Sequence, residues 1–174
     1  MSTELRKTLV LQALGAAVFN LLLNGGIAWL SFRGAVALPL WARGPCVAFD
    51  TIGTSLFLPL VTCLIVTPLV RRGARAAGDG GAARGWTRAT RPFLRRLPRN
   101  FALRGLAVGL VSAALVAPAA LALLSLAGVV AMNGGGIVVW KAVYSGVLAA
   151  LVTPIFALGA LADVAESASL APAT

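Results

Sequence analysis

Four long runs without a single charged side chain set the terms for this chain. Residues 8–32, 51–70, 105–140 and 142–162 contain no Asp, Glu, Lys or Arg. At 1.5 Å rise per residue, about 20 residues cross the hydrocarbon core of a bilayer, and a spanning helix satisfies its own backbone polar groups where no water can. Three of the runs fit one span each. The run over 105–140 is too long for one, and Asn133-Gly134-Gly135-Gly136 marks a turn near its end. The sequence therefore predicts an all-α membrane protein with four transmembrane helices over about 9–32, 51–70, 105–131 and 140–162, forming a single transmembrane domain over 1–174.

Composition points the same way. Hydrophobic residues make up 59% of the 174 residues and charged ones 11%, with mean hydropathy +0.92. A soluble domain is usually about a quarter charged. The net charge of +10 would suggest a nucleic-acid partner in a soluble protein, but ten arginines lie together between Arg71 and Arg104, beside spans. The positive-inside rule accounts for them: the 71–104 loop faces the cytoplasm and, with four spans, both termini join it, in a bacterial inner or plasma-type membrane. Arg6 and Lys7 agree, and no nucleic-acid role is expected. Residues 8–32 are too long for the 7–15-residue core of a signal peptide. Cys46 and Cys63 would stand about 25 Å apart along a helix, so they are not expected to pair.

Residues 94 apart align over part of the chain: Ala28, Leu30, Ser31 and Gly34 meet Ala122, Leu124, Ser125 and Gly128. A shift of 91 puts Leu60-Val61-Thr62 over Leu151-Val152-Thr153. Two parallel hairpin repeats would give this pattern, as in some transporters, and so would chance in Ala/Leu/Gly-rich sequence. The alignment also sets Asp50 over Lys141 and Arg72 over Asp163, opposite charges at both ends of the second and fourth helices. They are read either as ion pairs or as ordinary charges at span boundaries.

Within the spans the polar residues are neutral. Asn20 and Asn24 share one helical face; Thr54 and Thr62 lie in the second span, Tyr144 and Thr153 in the fourth. Such residues are glue between membrane helices, or the lining of a conduit. Pro59, Pro68, Pro118 and Pro154 each remove a helix hydrogen bond. There is no histidine, and no embedded carboxylate of the kind proton-coupled transport uses.

In the basic loop, Arg84, Arg88, Arg91, Arg95 and Arg99 recur at helical spacing, with Trp86 and other aromatic or apolar residues mostly elsewhere on the helix. That is the pattern of a basic amphipathic segment lying on anionic lipid; a solvated loop that only sets orientation is the other reading. No paired nucleophile and base, metal-ligand cluster or phosphate-cradling motif is present, so no enzyme and no cofactor are expected. The expected function is a non-enzymatic accessory or scaffolding subunit, self-associating or joined to other membrane proteins. The alternative is a small dimeric facilitative transporter or channel with a neutral polar conduit.

Overall fold

A computed structural model describes residues 3–76 and 92–170, and four of its helices are long and apolar enough to cross a membrane. They begin with α1 (Thr3–Phe32) and α2 (Val47–Ala76). After a short α3 (Pro92–Arg96), a third span runs from Phe101 to Leu126 as α4 (Phe101–Val111), a π-helical turn (Ser112–Val116) and α5 (Ala117–Leu126). The fourth is α6 (Gly134–Leu170). The protein is thus an all-α, multi-pass membrane protein. Its large apolar side chains are exposed in number, among them Leu11, Leu14, Leu22, Phe57, Ile65, Leu115 and Leu123, as a surface solvated by lipid requires.

The π turn has a local cause. A proline at 118 has no N–H and its ring crowds the carbonyl four residues back, a defect that α2 and α6 carry within continuous α-helix at Pro59, Pro68 and Pro154 but that the third span meets with a wider turn. Widening the preceding turn, with the Ala117 N–H donating to the Ser112 carbonyl, carries the span past the defect.

The end of the third span differs from the sequence expectation. The helix stops at Leu126, not near 131, and the turn is at Ala127-Gly128. Gly128 adopts φ +74°; its N–H donates to Ser125 O at 3.0 Å and the Val129 N–H to Leu124 O at 3.0 Å, the paired bonds of a Schellman stop. The three glycines read as a turn instead begin α6, six residues before the expected start. Asn133 caps them, its Oδ1 accepting from the Gly136 N–H at 2.8 Å. Gly134 is small because α6 starts against the end of α1: a Cβ there would run into the Phe32 carbonyl. At the ends on the side of the basic loop, called inner and the opposite ends outer as labels only, α2 and α6 continue past the apolar runs, to Ala76 and Leu170, since a helix need not stop where the hydrocarbon does.

The central element is α6. It packs against α1 on one side and α2 on the other, while α2 carries the third span. Each outer connection therefore passes over a helix of the other half: α1 packs on α6 rather than on α2, the helix that follows it. The two outer loops are tied where they cross by an antiparallel pair, β1 (Leu38–Pro39) with β2 (Ala131–Met132), Leu38 opposite Met132. The third span lies close on α2 because it has no side chain at the contact: a Cβ on Gly109 would overlap the Leu56 carbonyl.

Candidate functional site

Because α1 and α2 both lean on α6 without packing closely on each other, a groove runs between them with α6 as its floor. Its inner part, about 400 Å³, is lined among others by Gln12, Phe19, Asn20, Val61, Thr62 and Thr153. The outer part, about 440 Å³, shares Asn20, Leu23 and Val61 with it and continues past Asn24 and Thr54 to Asp50 and Lys141. Phe19, Leu23, Phe57, Val61 and Leu69 are exposed along it, so the groove opens sideways toward lipid.

The asparagines that the sequence singled out do line this groove, but their amides turn back onto α1. Asn20 Nδ2 donates to Ala16 O at 2.9 Å, and Asn24 Nδ2 to Asn20 O at 3.2 Å. The helix-to-helix bond here comes from Ser145, whose Oγ donates to Asn20 O at 3.1 Å. Two polar atoms of the inner groove have no partner although they are inaccessible: Gln12 Oε1 and Thr153 Oγ1. An unsatisfied polar atom in an apolar medium costs about 1–3 kcal/mol, so the groove is energetically incomplete as it stands.

Across the other face of α6 the polar residues are satisfied. Tyr144 Oη and Ser55 Oγ share a hydrogen bond of 2.5 Å, Trp140 Nε1 donates to Thr51 Oγ1 at 3.0 Å, and the Trp140 and Tyr144 rings stack at 5.5 Å. Here neutral polar residues join α2 to α6. Thr62 is buried as well, further along α2 where it lines the inner groove.

Charges close both ends of the α2–α6 contact. At the outer end Lys141 Nζ donates to Asp50 Oδ1 at 2.5 Å, the side chains 12% and 17% exposed. At the inner end, alignment of the two halves paired Arg72 with Asp163, and the structure differs: Asp163 is held by Arg71 and Arg104. Arg71 Nη2 donates to Oδ2 at 2.6 Å, and Arg104 Nη2 donates to Oδ1 and Oδ2 at 3.0 and 2.9 Å. The reason is helical phase. One residue is a rotation of about 100°, which turns Arg71 toward α6 and leaves Arg72 exposed at the rim of a neighbouring cleft.

Arg104 was legible only as the last arginine of a basic loop. It is fully buried, donates through Nε to Pro98 O at 3.1 Å, and packs its guanidinium on Gly159, where a Cβ would collide with it. Its Nη1 and the Arg71 Nε have no partner. Cys46 and Cys63 are both free and buried.

Of the basic segment, Arg84, Trp86, Arg88 and Arg91 lie outside the described residues. The helix in the described part is confined to Pro92–Arg96, ending before Pro98, which disfavours helical backbone at Leu97. Arg95 and Arg99 are exposed. No family model, curated protein or solved structure matches this chain, so the geometry alone carries the functional reading.

Proposed function

We propose that the protein is a non-enzymatic scaffolding subunit that self-associates by receiving a transmembrane helix of a second copy in the groove between α1 and α2. The observation that carries this reading is the groove itself, open to lipid and holding Gln12 Oε1 and Thr153 Oγ1 without partners. An acyl chain would fill the space and could offer neither atom a partner; a helix bearing small and polar side chains would fill it and bond both once the Gln12 and Thr153 side chains turn toward it. In this reading the basic 71–104 loop and both termini face the cytoplasm. The crossed packing and the Leu38–Met132 pairing support two parallel hairpin repeats, since exchanging the halves about an axis along the membrane normal would leave the contact order unchanged.

A second reading, the dimeric facilitative transporter, draws support from Asn20 and Asn24 lining the groove. It is weakened by the use of their amides on α1 and by the apolar walls around them.

A photo-crosslinking residue placed at Phe19 or Val61 of the purified, reconstituted chain distinguishes these outcomes. Self-association gives a crosslinked dimer from both positions and none from Leu115, which faces lipid on the third span. Adducts with lipid alone from Phe19 and Val61 would sink it. Uptake of a small neutral solute into the same liposomes, lost in Asn20→Leu/Asn24→Leu with the dimer intact, would establish transport instead.

A further inference from the structure

On the side of α2 away from the groove, a separate cleft of about 190 Å³ opens between the inner end of α2 and the start of α4, lined by Thr67, Pro68, Arg71, Arg72, Arg75 and Phe101. Three of its six lining residues are arginines from consecutive turns of one helix. Arg72 and Arg75 are exposed and have no carboxylate partner among the described residues. Arg71 is 27% exposed, is fixed on one side by Asp163, and lies with its guanidinium carbon 5.8 Å from the Phe101 ring centroid. Asp163 adds no free negative charge to the cleft, because it already holds buried Arg104 as well as Arg71. The result is a small, positively charged recess with one apolar wall, placed where the apolar part of α2 gives way to its charged end.

We infer that this cleft binds the phosphate of an anionic lipid headgroup, with Arg72 and Arg75 meeting the phosphate oxygens, Arg71 setting the positive floor, and the acyl chains running down past Pro68 and Phe101 into hydrocarbon. Guanidinium groups present paired donors that match phosphate, and basic recesses between spans at the membrane surface suit such headgroups. The site is distinct from the amphipathic segment proposed from sequence and does not depend on what fills the groove. A free phosphate would share the polar contacts but would have no use for the apolar wall at Phe101.

The test uses the full chain in neutral phosphatidylcholine nanodiscs, with spin-labelled phosphatidylglycerol and spin-labelled phosphatidylcholine compared for association by electron paramagnetic resonance. Selective association of the phosphatidylglycerol label is expected, and Arg72→Gln/Arg75→Gln should lower it at least fivefold, since one basic residue at an anionic surface is worth about a fivefold change. The control Arg95→Gln/Arg99→Gln removes equal charge outside the cleft and should lower it less than twofold. Equal losses from the two double variants would overturn the site in favour of diffuse loop charge. Complete displacement of the label by a few millimolar inorganic phosphate at constant ionic strength would assign the cleft to a free anion and overturn the lipid.

Discussion

The two ends of the α2–α6 contact solve the same problem in opposite ways. At the outer end one lysine meets one aspartate, and the charges cancel. At the inner end two guanidiniums share Asp163, one of them with no exposure at all. A balanced one-to-one pair closes a helix contact and leaves no charge over, and neither of its side chains is wholly cut off from the surface. The inner arrangement makes a single carboxylate the counter-ion of a buried cation, Arg104, at the start of the third span.

The sharpest way to break that comparison is Asp163→Asn. Removing one partner of a buried pair leaves an uncompensated charge, at a cost of about 3–5 kcal/mol. Arg104→Met should cost no more than about 2 kcal/mol, because Asp163 keeps Arg71. Unfolding in mild detergent, followed by denaturant titration, measures both; equal losses would mean that the carboxylate is not the shared element. A smaller effect is expected at the other end. Asp50→Asn or Lys141→Met should each cost about 1–2 kcal/mol, and Asp50→Lys/Lys141→Asp should recover most of it. A loss at the outer end equal to that of Asp163→Asn would erase the distinction between the ends. The smallest effect belongs to Arg72→Gln. Having no carboxylate partner among the described residues, it should shift stability by no more than about 0.5 kcal/mol, so a larger loss would place Arg72 in the inner cluster after all.

The spans were legible because hydrocarbon tolerates so few residue types that absence of charge is itself a signal. Their ends were less so, because the chemistry that stops a helix is local and specific. Asn133 followed by glycines reads as a breaker, yet it caps α6, and Gly134 is there for its closeness to Phe32. The satisfied pair Asp50–Lys141 could be anticipated from two halves laid side by side. The Arg71–Asp163–Arg104 cluster could not, since linear alignment ignores helical phase and since Arg104 in sequence looks like nine other loop arginines. Gln12 escaped notice because one amide near a span end has no pattern to mark it; only the groove shows that its oxygen lacks a partner.

The crossing of the outer loops also orders events in time. The surface against which α1 packs belongs to α6, which is synthesised after the other three spans. Through synthesis of α2 and the third span, α1 waits in the bilayer without its permanent neighbour. Neither hairpin can finish by itself, and the four spans lock together only when α6 slides into the middle.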